Sequence, residues 1–490
     1  MQRPRTSSLI GWFTILGGSL LAAILPLGAA VTPAGAQVVM SPMVVSRFAS
    51  VSQPLTTAEC QAQVGVNCYQ GPQLRVAYNL APLFRRGITG TGETVVIVDA
   101  FGSPTVTQDL ASYDAQYGLP APPSFKIIQP VGPVPPYQEN GIREAWAVET
   151  TLDVDMVHTV APGANILLVE SPVNETEGVT GFPQIVQAEN YVIDHNLGDV
   201  VSQSFEATEG TFPNAGSIMA LRSAYVNAAR HHVTVVSTTG DSGVTDLTSD
   251  QVTYYTHRVV DWPSSDPLVT AVGGTQLHLD ATGHHTSPDT VWNDTFNPAA
   301  NEMAFGGAFS DAGPNAIASN GGVSSVFARP AYQNRVANVV GSARGVPDIT
   351  MSAACNGAVE LYQSFPGAPA GWYLVCGDSG ATPLFAGMVA LADQVAQHRL
   401  GLINPALYAM KAHSAPGLVP VTSGNNTVSF TQDGKSLTIV GFRAGPGYNL
   451  ASGTGTVNAA EFVPTLAAYG SSVHRRRVRC GAGLRGGCRE

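Results

Sequence analysis

Residues 143–171, REAWAVETTLDVDMVHTVAPGANILLVES, join two patterns of different period. The first eighteen residues repeat apolar side chains at helical spacing. The last seven, NILLVES at 165–171, form a short apolar run rich in β-formers, set off by Pro and Gly. A helix feeding straight into a buried strand is half of a βαβ unit. The same kind of run recurs upstream as TVVIVDA (94–100) and downstream as DVVSQSF (199–205), VTVVSTT (233–239) and PLVTAVGG (267–274). From 165 onward these runs begin 34 residues apart, and FPQIVQAENYVIDHN and SIMALRSAYVNAARHH fill the gaps with helical patterns. That rhythm predicts an α/β fold, a mostly parallel twisted β-sheet with helices on both faces. Functional residues should then gather at the carboxyl ends of the strands. The Gly/Ser/Asn-rich stretch 276–322 predicts surface loops, and ATPLFAGMVALADQVAQHR predicts one further long helix.

Charge excludes some classes of partner. Only 12% of the 490 residues are charged, the formal net charge is −11, and the lysines are just Lys126, Lys411 and Lys435. Six of the 24 basic residues crowd into the last 16 positions, RRRVRCGAGLRGGCRE, so the body of the chain offers no basic surface for nucleic acid. Few ion pairs leave little stability to lose when carboxylates protonate, which suits an acidic medium.

Arg3 and Arg5 precede an apolar run from Leu9 to about Ala30, then Ala34-Gly35-Ala36. This predicts a secretory signal over 1–36, cleaved before Gln37, and a secreted protein without stable membrane association; the alternative is an uncleaved anchor. The six cysteines fall as close pairs, Cys60/Cys68, Cys355/Cys376 and Cys480/Cys488, and pairing of neighbours is the simplest connectivity.

On a helical wheel, Ala145, Trp146, Leu152, Met156 and Val160 form one apolar stripe with Glu149 and Asp153 in its middle. Glu144, Asp155 and His158 point the opposite way, where charge normally faces water. Glu149 and Asp153, one turn apart, should therefore be buried neighbours. Two close carboxylates do not both ionise cheaply, so one holds its proton to higher pH, as in an acid–base pair that works in acid. The other reading is that both acids pair with a buried basic group.

The tetrapeptide GDSG occurs at 240–243 and 377–380. The second copy runs into an apolar helix, which places Ser379 beside free backbone N–H groups suited to an oxyanion. The first follows a strand and puts Asp241 at its carboxyl end. Either could equally be a plain turn.

Taken in order, these motifs resemble the sedolisins, serine-carboxyl peptidases of subtilisin-like fold. Glu149-Thr-Thr-Leu-Asp153 followed by HTVAPGA resembles the family's Glu-x-x-x-Asp helix. STTGDSG, with Asp241, resembles its Ser-x-Gly-Asp-x-Gly turn. GDSGATP, with Ser379, approximates its Gly-Thr-Ser-Ala-x-x-Pro segment. Supporting stretches include WPSSDPLVTAVGGTQL, GGVSSVFARPAYQ, RGVPDI and GLINPALY. The resemblance implies a monomeric endopeptidase acting on protein or peptide substrates at acidic pH. Ser379 would be the nucleophile, Glu149 the base and Asp153 the acid that orients it. A protonated Asp241 would be the oxyanion donor, and Asp99 could extend the proton-sharing network. The peptidase domain would run over 72–468, after a short extension at 37–71 and before a basic Cys-containing tail at 469–490. No histidine sits in an Ala-Ala-His-Cys or His-Gly-Thr-His setting, so the histidine-based serine peptidases do not fit. His231-His232 and His284-His285 lack partners at metal-site spacing and predict surface residues.

Three departures from the family stand out. Asp378 and Gly380 flank the serine where the family has Thr and Ala. The family's calcium site is degenerate: of its positions Pro420, Val421, Gly445, Gly447 and Asn449, the two that should be aspartates are Pro420 and Asn449. The loss of those charges predicts weak calcium binding or none, and no other cofactor is implied. The long propeptide usual in the family has only some 35 residues of counterpart here, 37–71. Asp378 and the calcium positions also allow a second class, a catalytically silent homologue that binds peptides or surface material.

Overall fold

A computed structural model describes residues 45–305 and 315–482, the side chains of Val45, Phe305 and 472–482 excepted. The signal sequence expected over 1–36, the expected Cys480/Cys488 pair and the arginine-rich end all lie outside the described residues and side chains. The described residues all belong to one compact unit.

At its centre is an eight-stranded sheet. In chain order the strands are β1 (Thr94–Ala100), β2 (Phe125–Ile128), β3 (Asn165–Ser171), β4 (Val200–Gln203), β5 (Thr234–Thr238), β6 (Thr270–Gln276), β7 (Thr290–Val291) and β8 (Ile349–Ser352). They line up as β7-β6-β5-β4-β1-β3-β2, with β8 also paired to β6. Every pairing is parallel except β6 with β7. The chain builds from β1 toward β3 and β2, then returns to the other side of β1 to lay down β4. That reversal opens a crevice beyond the carboxyl ends of β1 and β4.

The β-branched runs fit a sheet covered on both faces. Val95 and Ile97 of β1 enter one core and Val96 and Val98 the other, as period-2 side chains must. The first core takes α1 (Val106–Tyr117), α2 (Gly141–Val160) and α5 (Asp378–Ala396). The second takes α3 (Phe182–Asp194) and α4 (Ser223–His231). Each fully buried Val, Leu or Ile contributes about 1.5–3 kcal/mol. Asn140 caps α2 through its side-chain oxygen, which accepts from the Arg143 N–H, and Pro162 follows the helix end.

Two expectations need correction. Helix α2 has no wet face along its second half: Asp155 and His158 are fully buried, not solvated. His158 Nε2 lies 3.1 Å from Asp114 Oδ1 and 2.9 Å from the Pro120 carbonyl, so α1 and the loop after it cover the side the wheel assigned to water. The stretch 276–322 is not simply surface either. Leu277, Trp292, Asp294 and residues 317–320 are buried, because β7 and the segment after it pass under the carboxyl end of β6.

A second, four-stranded sheet pairs Val45–Ser50 with Gly371–Cys376, then Ala358–Gln363, then Cys68–Tyr69. Residues read as an N-terminal extension are thus woven into the strand that leads to Ser379. The disulfides Cys60–Cys68 and Cys355–Cys376 join sequence neighbours. Among the described residues no helix is long and apolar enough to cross a membrane.

Candidate active site

Cys376, held to Cys355, ends its strand, and Gly377 turns the chain with φ 140°, a conformation that favours glycine. Helix α5 starts at Asp378, so Ser379 lies in its first turn instead of just ahead of it. Pro383 stands four residues on and has no N–H to give the Ser379 carbonyl. Ser204, just beyond β4, meets that carbonyl instead: its Oγ is 3.3 Å from Ser379 O and 2.9 Å from Asp153 Oδ1. A hydroxyl has one proton, and the shorter contact directs it at Asp153, where it partly opposes the effect of burial on that acid. Sequence reasoning missed Ser204, although its place at the carboxyl end of a central strand was a usable signal.

Glu149 and Asp153 project from α2 toward α5, both fully buried. Burial raises Glu149's proton affinity well above the usual carboxylate range, and Asp153, Asp99 and Asp241 add to it. Asp153 is raised the same way, first by burial and then by Asp99. The Ser379 hydroxyl partly opposes the shift on Glu149. Neither oxygen of Glu149 has a partner at strict hydrogen-bonding geometry among the described residues. Bonds of this kind are often long in a resting site and tighten around substrate. No cation is among the groups acting on either acid, so the reading in which they pair with a buried base fails.

Asp99 joins the cluster from the end of β1. Burial, with Glu170 and Glu175, pushes it up to about 7 against the Thr150 hydroxyl. Asp241, after β5, accepts the Asp378 N–H at 2.6 Å on Oδ1. Burial and then the Asp378 carboxyl raise it well above the ordinary range. Ser242 of the first GDSG faces Asp246 at 3.3 Å instead, so the two copies differ in what they present. His231, His284 and His285 are exposed, as expected, and His285 pairs with Asp289. The arrangement places a hydroxyl, a coupled carboxyl pair and a further carboxyl of raised proton affinity in one buried crevice. It can lend a proton, take one back and donate to a developing oxyanion.

Residues 144–442 match the profile of the subtilase family, Peptidase_S8. The chain belongs to the subtilase family. Within it, the chain is 30% identical over 386 residues to kumamolisin of Bacillus sp. (strain MN-32), covering 76% of this chain and 60% of that one. It is 27% identical over 383 residues to sedolisin of Pseudomonas sp. (strain 101), covering 78% and 58%. The chain therefore spans about three-fifths of the length of these relatives. In solved structures it is similar to Pseudomonas sedolisin, a serine-carboxyl proteinase complexed with pseudo-iodotyrostatin. The TM-score is 0.64 at 25% identity, over 83% of this chain and 99% of that one.

Two departures of this subtilase from the sedolisin pattern have structural content. The family's calcium positions do not fit a cation. Asn449 Oδ1 already accepts from the Ala451 and Ser452 N–H groups and lies 3.1 Å from Ser452 Oγ, while its Nδ2 donates to the Gly445 carbonyl. The Val421 carbonyl lies 3.3 Å from Ser452 Oγ, and Pro420 is exposed. Neutral hydrogen bonds thus engage the Asn449 amide oxygen and the Val421 and Gly445 carbonyls, and none of these positions offers the carboxylate a hard cation favours. A chelator is expected to leave the melting temperature unchanged, whereas Asn449→Ala should lower stability by about 1–3 kcal/mol; thermal melts with and without EDTA check both. Gly380 is open to substitution. A Cβ there would lie 3.6 Å from Leu152 Cδ1, an ordinary contact, in a helical position. Gly380→Ala is expected to raise stability by about 0.5–1 kcal/mol, read from denaturant titration.

Proposed function

We propose that this chain is a secreted, acid-acting serine-carboxyl endopeptidase. What carries the reading is the convergence of Ser379, Glu149, Asp153 and Asp241 from separate elements in a buried site whose acids feel no base. Ser379 Oγ attacks the peptide carbonyl carbon while the ionised Glu149 takes its proton and Asp153, its proton held by burial and by Asp99, steadies Glu149. The oxyanion receives a hydrogen bond from the protonated Asp241. Collapse breaks the C–N bond, and Glu149 returns the proton to the leaving amine. Water, deprotonated by Glu149, then cleaves the acyl-Ser379 ester and restores the hydroxyl.

The sign of the pH dependence follows from these roles. Glu149 takes the proton only while ionised and Asp241 donates only while protonated, so activity falls in strong acid as Glu149 takes up its proton and fades as pH rises through the raised folded value of Asp241. The test is cleavage of a fluorescein-labelled denatured albumin from about pH 3 to 7, beside Ser379→Ala. Acid-dependent cleavage by the wild type alone supports the proposal. Equal cleavage by the variant, or none by either, favours the silent homologue. Against that alternative, Asp378 turns inward and leaves the Ser379 hydroxyl free to face Glu149.

A further inference from the structure

Asp378 is the residue that most sets this crevice apart from the family pattern, and the fold has made room for it. Its carboxyl is fully buried. Oδ2 lies 2.8 Å from the Ser319 hydroxyl and 2.8 Å from the Thr239 hydroxyl just past β5, which has the Asn320 carbonyl as a second, longer acceptor at 3.1 Å. Ser319 Oγ already accepts the Gly274 N–H at 2.7 Å, so its proton is directed at Asp378. A Cβ on Gly274 would fall 2.2 Å from Asp378 Oδ1, so this carboxyl needs glycine in β6. On the other side the Asp378 N–H donates to Asp241 Oδ1 at 2.6 Å. Two buried acids are thus joined through one residue's backbone, and only the inner one has hydroxyl donors in the hydrogen bonds described.

We propose that Asp378 is a positioning residue: it takes the negative charge of this pair and keeps Asp241 neutral and able to donate to the oxyanion. Burial raises Asp378 as well, well above the ordinary carboxylate range, but the two hydroxyls oppose that shift, and it is Asp378's charge that acts on Asp241; of the pair, Asp378 therefore gives up its proton first. Its charge then raises the proton affinity of Asp241, in agreement with the direction found there. The other groups facing Asp241 are Asp246 on its own loop, Glu206 after β4 and Glu149 on α2, with Asp261 acting on Asp246 and Glu206; all are acids. Among the described residues no Lys, Arg or His opposes the effect; the Asp378 N–H does so in part. Asp378 would therefore extend the working range of the site toward neutral pH. This rests on the peptidase reading.

The experiment compares kcat/KM on fluorescein-labelled denatured albumin, over about pH 3 to 8, for wild type, Asp378→Asn and Asp378→Thr. Both variants are expected to move the alkaline limb about one pH unit lower, so the ratio of activity near pH 4 to that near pH 6 rises about tenfold. Asp378→Thr carries the family's own side chain and serves if the amide variant does not fold. In an Asp241→Asn background, whose amide donates at every pH, Asp378→Asn is expected to move the limb no further. An unmoved limb in the single variants, or an equal displacement in the Asp241→Asn background, overturns the proposal. Asp241's proton can also be followed directly, as the protonated-carboxyl infrared band lost in Asp241→Asn. Its titration should fall to lower pH in Asp378→Asn. Absence of cleavage by the wild type at any pH would sink the peptidase reading alone; the infrared titration would still decide for or against Asp378.

Discussion

Glu149→Gln is expected to lower kcat/KM by about 10⁴–10⁶-fold, as is Ser379→Ala, and the double variant should lose little more. A nucleophile and its base act as one unit, so removing either removes the proton transfer. The glutamine change is the sharper of the two because activity and stability should move in opposite directions. Glu149 is buried among Asp153, Asp99 and Asp241 with no cation acting on it. Its raised folded proton affinity contributes stability that is whole below the unfolded carboxylate range and lost as pH rises through the folded value. An amide of the same shape does not titrate. Glu149→Gln should therefore melt higher than wild type above about pH 5 while being catalytically dead. A residue there for structure alone would give the reverse: retained activity and lowered stability. A variant keeping more than about one per cent of the activity removes Glu149 from the base role.

How far the site could be read from sequence depends on how local each determinant is. The strands were legible because β-branched runs between Gly and Pro are local signals. The i, i+4 spacing of Glu149 and Asp153 is also local, and it brings both acids to the face that meets α5. The wheel failed for Asp155 and His158 because it assumes one wet side. A helix covered by α1 as well as by α5 has none, and only tertiary packing decides that. The partners of Ser204 and Gly274 were out of reach for a related reason. Ser204 matters through Asp153, 51 residues away, and Gly274 through the side chain of Asp378, which lies on a different element. The pairing of Val45–Ser50 with Gly371–Cys376 spans most of the chain, and no period in either segment announces its partner. Asp378 shows the limit most clearly. Sequence could flag it as a departure from the family, but its direction follows from two hydroxyls and a missing Cβ contributed by three distant segments.

Acid preference should extend beyond the crevice to the fold itself, and Glu189 gives a clean place to measure it. Glu189 sits on α3, against the other face of the sheet from α2 and α5, 1% exposed, and accepts the Gln203 side-chain N–H. Burial is the leading cause that pushes its carboxyl up to about 8. In the unfolded chain it would ionise near the ordinary glutamate value, so between those two limits the folded state holds a proton that the unfolded state has released. Its stabilising contribution is complete below about pH 4 and declines by about 1.4 kcal/mol per pH unit until the folded value is reached. At pH 7 the accumulated loss is on the order of 3 kcal/mol. Glu177 and Glu360, raised to about 8, and Asp99, raised to about 7, contribute with the same sign. Asp250, Asp280 and Glu59 are shifted down by local hydrogen bonds and act with the opposite sign, but all three lie at the surface, where solvent screens them. The melting temperature is therefore expected to be highest in acid and to fall steadily toward neutral pH. Glu189→Gln keeps an oxygen for Gln203 and cannot ionise. It should match the wild type near pH 4 and exceed it by several degrees near pH 7, a gap that widens with pH between those points. Melting curves for the two proteins that stay parallel across that range would show that Glu189 is already ionised in the fold, and that burial on this face of the sheet does not hold its proton.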